Sequence, residues 1–124
     1  MNLRTLYERA VILSKECETK KRHVSFILSS YTGDILSHGV NRPAPVYDRY
    51  RSLHSEDAAR LSLGAYEGEI TLVNFRLNTR GDLRNSKPCP LCAEWVYRTF
   101  DKVYYSTDHG MVLVVPFTSN VGVL

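Results

Sequence analysis

The stretch ITLVNFRLNTRGDLRNSKPCPLCAEWVYRTFDKVYYSTDHGMVLVVPF, residues 70–117, decides the fold. Its opening run, Ile70 to Leu77, is apolar and β-rich and predicts a strand. Asn78 to Lys87 follow as a polar loop holding Gly81. Pro88 stands where a helix start tolerates proline, and Cys89 to Phe100 predict a helix. Lys102 to Thr107 predict the next strand. A helix between two strands leaves room for a right-handed parallel crossover. Asp108-His109-Gly110 leaves room only for a tight turn, so Met111 to Phe117 must return antiparallel as a C-terminal hairpin.

Upstream, Leu3, Leu6, Tyr7, Ala10, Leu13 and Cys17 recur at helical spacing, so Asn2 to Cys17 predict an amphipathic helix. Lys20, Lys21 and Arg22 form a basic connection. His23 to Ser29 is a short β-rich run, Tyr31-Thr32-Gly33-Asp34 carries turn chemistry, and Ile35 to Asn41 predicts the second strand of a hairpin. Pro43 and Pro45 end that strand, and a loop runs on to Leu53. His54 to Leu63 predict a helix stopped by Gly64. The order α-β-β-α-β-α-β-β implies one α/β domain over residues 1–124, a mixed five-stranded sheet with helices packed on it.

Composition fits that reading. The chain has 124 residues, 44% hydrophobic and 23% charged, which is ordinary globular usage and excludes disorder or a fibrous repeat. A chain of this size can bury roughly two thirds of its extended surface, enough for a core without disulfides. The longest apolar run, Met111 to Phe117, is far too short to span a membrane. Arg4, Glu8 and Arg9 interrupt the first apolar stretch and argue against a signal peptide. Three cysteines, Cys17, Cys89 and Cys92, suit a reducing compartment, so a cytoplasmic location is expected. The net charge of +3 is weak evidence for an anionic partner.

The chemistry concentrates in His54-Ser55-Glu56 and Pro88-Cys89-Pro90-Leu91-Cys92. One imidazole and two thiols make three candidate zinc ligands, each set at the predicted start of a helix. Cys89 and Cys92 share one helical face, and the positive end of a helix favours thiolate over thiol. Three protein ligands leave the fourth tetrahedral position open, the arrangement of a catalytic zinc. Glu56, two residues from His54, can stand beside the metal without ligating it. Other readings exist for each part. The cysteine pair could be half of a zinc ribbon or a redox pair, and Glu56 a carboxylate stabilising a helix start. His23, His38 and His109 have no motif around them and read as structural or exposed. Asn41 alone reads as a strand-end turn residue.

Together, the H-x-E and P-C-x-x-C motifs resemble the signature of the zinc-dependent cytidine/deoxycytidylate deaminase superfamily. Ala59 falls on the alanine of that family's first motif. Asn41-Arg42-Pro43 looks like its sugar-binding segment, and the predicted element order matches from the first helix to the last strand. The resemblance implies a three-layer fold with helices on both faces of the sheet. It implies a Zn²⁺ cofactor held by His54, Cys89 and Cys92, with Glu56 moving protons as catalytic acid and base. It also implies base contacts at Ser55 and around Ser86 to Pro88, sugar contact at Asn41 with Arg42 beside it, and a homo-oligomer. Ser55 stands where alanine is usual. His54 stands where free-cytidine deaminases more often carry cysteine, yet the C-terminal hairpin belongs to that free-cytidine branch.

The expected reaction is conversion of cytosine to uracil in a small nucleoside or nucleotide, with release of ammonia. Arg42, Arg49, Arg51, Arg76, Arg80, Arg84 and Lys87 lie in the segments leading to the ligands, with Tyr47 and Tyr50 among them. That pattern suits a phosphate-bearing substrate or solvated loops equally. A deaminase of single-stranded DNA or RNA and a non-catalytic zinc-binding module are the alternatives. No membrane partner is expected.

Overall fold

Strand β1 (Arg22–Ser29) lies between β2 (Ile35–Val40) and β3 (Ile70–Leu77) and is antiparallel to both. Within the polar loop lies a short strand β4 (Leu83–Arg84), followed by β5 (Lys102–Thr107) and β6 (Gly110–Val114). β5 runs parallel to β3, and β6 returns antiparallel to β5, so the sheet order is β2-β1-β3-β5-β6 with β4 paired to β3 off that path. The structure, a computed structural model, describes residues 2–17, 20–41 and 54–116.

Alternation along the central strands divides the core in two. Val24, Phe26 and Leu28 of β1 and Val73, Phe75 and Leu77 of β3 pack against Leu6 and Ala10 of helix α1 (Leu3–Ser14). Ile27 and Leu72, on the opposite face, pack with Ala59 of helix α2 (Ser55–Leu63) and with Cys92, Val96 and Phe100 on and just after helix α3 (Pro90–Thr99). Side chains one apart on a strand face opposite ways, so the sheet carries α1 on one face and α2 with α3 on the other. This three-layer α/β arrangement is the expected one, as are the parallel β3–α3–β5 crossover and the terminal hairpin.

The boundaries differ for physical reasons. Asn2 lies outside α1 as its N-cap, with Oδ1 accepting from the Arg4 and Thr5 amides. The helix stops at Ser14, because Lys15, Glu16 and Cys17 donate to carbonyls three residues back and tighten the last turn. The loop 78–87 contains β4, a sixth strand that the local pattern did not predict. Asn78 Oδ1 gathers the Arg80 and Asp82 amides, and Gly81 takes φ +86, so the chain folds back onto β3 with Leu83 opposite Leu77 and Arg84 opposite Arg76. Thr107 pairs with Gly110, so the hairpin turn is Asp108-His109. β6 ends at Val114, just before Pro116, which lacks an amide for the ladder; Phe117 lies outside the described residues.

Gly39 on β2 sets how closely α2 approaches the sheet. A Cβ there would lie 2.4 Å from Ala59 N and 2.5 Å from Ser55 O, both backbone atoms that cannot swing aside. The first turn of α2, which carries the candidate chemistry, rests directly on that glycine.

Candidate metal centre

α2 and α3 each begin with a residue poorly suited to capping. His54 and Cys89 occupy the N-cap positions, extended at ψ 153° and 161°, and neither side chain bonds its own first turn. Serine or aspartate there would cap better, typically by about 1 kcal/mol. Pro90 at the first position of α3 has the φ a helix start requires, so the helix begins one residue after Cys89 and later than Pro88 suggested. Cys92 is the third residue of α3 and is buried. The Arg60 guanidinium of α2 lies 5.1 Å from the Trp95 ring centre of α3 and ties the two helices together.

These elements bring the ligand atoms of His54, Cys89 and Cys92 within 4.8 Å of one another. His54 Nδ1 faces Cys92 Sγ at 3.2 Å. A tetrahedral zinc with nitrogen and sulfur ligands holds them roughly 3.3–3.8 Å apart, so the cluster needs only a small adjustment to close on the ion. An imidazole with two thiols is also a borderline-soft set suited to zinc. Burial pushes the Cys92 thiol up to about 12, and its hydrogen bond with Cys89 and the charge of Glu56 push the same way. A cation entering the cluster must displace that proton, so metal binding weakens as pH falls.

Glu56, in the first turn of α2, is only 6% exposed, and its charge acts on Cys92. Its Oε1 accepts from Ser55 Oγ at 3.1 Å. Ser55 Oγ in turn meets Ser25 Oγ at 2.7 Å, and Ser25 Oγ donates to Asn74 Oδ1 at 2.6 Å. Ser25 and Asn74 are directly opposed on β1 and β3, and all four residues are buried. Neither Ser25 nor Asn74 was singled out in the sequence. The available signal was a polar residue interrupting an apolar run in each strand, Ser25 within residues 24–28 and Asn74 within residues 72–75, on the face that packs against the ligand-bearing helices.

The remaining expected site residues are distributed as follows. Ser86 is buried, with its amide on Ser106 O and its hydroxyl donating to Asn74 O, and Pro88 is buried beyond it. These bonds tie the segment entering Cys89 to β3 and β5. Asn41, just past the end of β2, bonds the backbone at and just before the start of β1: Oδ1 accepts from the His23 amide and Nδ2 donates to Lys21 O. Arg42, Arg49, Arg51, Tyr47 and Tyr50 lie outside the described residues. Arg76 sits on the same sheet face as Asn74 and opposite His23.

His23 has more to do with this face than its sequence context suggested. Burial, the Arg76 charge and the His54 charge, with Lys21 adding to them, lower its imidazole to about 4. The unfolded chain takes up that proton near pH 6.5. Stability present at neutral pH is therefore lost as pH falls from about 6.5 to about 4. In urea melts of the metal-free protein this loss should reach at most about 3 kcal/mol, since the imidazole keeps some solvent contact. His23→Gln should flatten that part of the profile; equal slopes in the two proteins would contradict the assignment.

No protein-family model matches the chain, and no curated protein matches it in sequence. Among solved structures, the crystal structure of cytidine deaminase from Mycobacterium leprae is similar, with a TM-score of 0.63 over 91% of this chain and 93% of that one. The sequences are 21% identical, so the likeness is one of fold. The class it defines is α/β with a cytidine-deaminase-like mixed sheet.

Proposed function

We propose that this chain is a zinc-dependent hydrolytic deaminase that converts cytosine to uracil in a nucleoside or nucleotide. The observation that carries the reading is the convergence of His54, Cys89 and Cys92 at two helix starts, with the buried Glu56 carboxyl beside Cys92. The cytidine-deaminase-like fold supports it, because that fold in the Mycobacterium leprae enzyme is associated with this class of reaction.

His54, Cys89 and Cys92 would hold the zinc. Bound there, zinc supplies Lewis acidity that makes water reactive near neutral pH. Cytosine and water give uracil and ammonia, and the chain must move two protons. Glu56 takes the first from the attacking water and delivers it to ring N3, where uracil keeps it. It passes the second to the amine on C4, which leaves as ammonia as the C4–N bond breaks. Backbone groups at Ser55 and from Ser86 to Pro88 would orient the base. Asn41 and Arg42 are proposed at the sugar, and a homo-oligomer is the proposed assembly.

The test is ammonia release from cytidine, deoxycytidine, their monophosphates and a cytosine-containing oligonucleotide, each at two salt concentrations. Arg76, on the face of the site, favours a phosphate-bearing substrate. The monophosphates are therefore expected to show the highest kcat/KM, with shallow salt dependence. A steep fall with salt and a preference for the oligonucleotide would point to a polynucleotide deaminase instead. No ammonia from any of them by the zinc-loaded protein would overturn the reading.

A further inference from the structure

We propose that Ser25 and Asn74, on the two central strands of the sheet, are positioning residues that act through Ser55 to hold the Glu56 carboxyl beside the ligand cluster. The inference rests on the deaminase reading for its functional meaning and on the hydrogen-bond chain for its geometry.

Three contacts link the four side chains: Asn74 to Ser25 at 2.6 Å, Ser25 to Ser55 at 2.7 Å and Ser55 to Glu56 at 3.1 Å. Their residues are 3%, 0%, 2% and 6% exposed in that order, so water does not compete for these bonds. The two hydroxyls carry two protons for three contacts. Ser25 donating to Asn74 Oδ1 and Ser55 to Glu56 Oε1 use both, whereas Asn74 turned to donate from Nδ2 lets Ser25 donate to Ser55 and Ser55 to Glu56; what Asn74 presents to Ser25 therefore determines which way Ser55 can donate. Packing alone does not explain these residues. Their rung lies between the Ile27–Leu72 and His23–Arg76 rungs of the same face, and an apolar pair there would extend the Ile27–Leu72 core with no buried polar atoms to match.

The chain also solves a mechanical problem. Glu56 sits in the first turn of a helix, where its carboxyl has several rotamers available. A proton shuttle must meet the reacting atoms within tenths of an ångström. Anchoring Oε1 through Ser55 to the middle of the sheet references the carboxyl to the most rigid part of the fold. The same sheet contact, at Gly39, sets the height of the helix that bears it.

The test is a double-mutant cycle on the zinc-loaded protein with Ser25→Ala, Ser55→Ala and the pair, together with crystal structures of the wild type and Ser25→Ala. Each single variant should keep its zinc and lose about 10- to 100-fold in kcat, with KM changed by less than about threefold. The double variant should be no slower than the worse single one, because both cuts break one chain. In the Ser25→Ala crystal structure the Glu56 carboxyl should leave its wild-type position.

A Ser25→Ala kcat within about twofold of wild type, even with a lowered melting temperature, would make the chain a purely structural cluster and overturn the proposal; so would multiplicative effects in the double variant. If Ser25→Ala does not fold, Ser55→Ala carries the kinetic test alone, since alanine suits a helix first turn, and an unchanged kcat there would overturn the proposal. If the wild type turns over no cytosine substrate, the deaminase reading fails separately. The crystal comparison then decides, with a displaced carboxyl supporting the positioning role and an undisplaced one overturning it.

Discussion

Glu56→Ala is expected to retain zinc and fold while kcat drops by roughly 10²–10⁴-fold or more, the usual cost of losing a general acid and base. The expectation follows from position. Glu56 lies two residues from His54, inside the first turn of α2, with its charge acting on Cys92. It is absent from the ligand cluster, so its removal leaves the three metal donors in place. It is buried and hydrogen-bonded, so a carboxyl is held there without an ion-pair partner among the described residues. Glu56→Gln separates shape from proton transfer, because the amide keeps the volume and the contact with Ser55 but cannot shuttle a proton. Both variants should bind substrate near the wild-type level, which equilibrium dialysis with zinc-loaded protein would report. Near-normal turnover in either would place the proton shuttle elsewhere.

Cys89→Ala is expected to abolish stoichiometric zinc. The wild type should purify with about one zinc per chain, the number a single three-ligand site takes. Losing one of three ligands should weaken binding by roughly 10²–10³-fold or more. Cys89 is the clean choice because it is exposed and outside the hydrophobic clusters, so the metal-free fold should survive the change. Cys92→Ala would remove the same ligand class but also empties a place in the core beside Val96 and Ala59, so metal loss and packing loss would coincide there. His54→Ala should behave like Cys89→Ala. Chelator should lower the melting temperature of the wild type and leave that of Cys89→Ala unchanged. Full zinc occupancy in Cys89→Ala would remove it from the ligand set.

Much of this architecture is legible from local pattern. The apolar, β-rich run Ile70–Leu77 and the short connection at Asp108-His109-Gly110 identify strands and hairpin without reference to distant residues. The three residues that could hold a metal are legible too, because His54-x-Glu56 and Cys89-x-x-Cys92 each occupy one helix turn and the candidate chemistry lies in that spacing. The errors cluster where local signals compete. Cys17 continues the apolar periodicity of α1, yet Lys15, Glu16 and Cys17 turn back to nearer carbonyls. Leu83-Arg84 looks like loop until the Gly81 turn lays it beside β3. The bonds from the Asn41 side-chain amide to the backbone of His23 and Lys21 are likewise set by the pairing of distant strands.

The sequence by itself determined the elements other than β4, their order, the parallel crossover and which side chains could hold a metal, because periodicity, proline placement and motif spacing act over a few residues at a time. Only the tertiary structure decided that Ser25, Asn74, Ser55 and Glu56 form one buried chain, that Gly39 lies under the start of α2, and that His23 shares a face with His54 and Arg76. Ser25 is 30 residues from Ser55 and 49 from Asn74, and their contact depends on the register between β1 and β3. A slip of one residue in that pairing would turn Ser25 or Asn74 to the α1 face. Register is fixed by the packing of both sheet faces at once, which is why no local reading of either strand contains it.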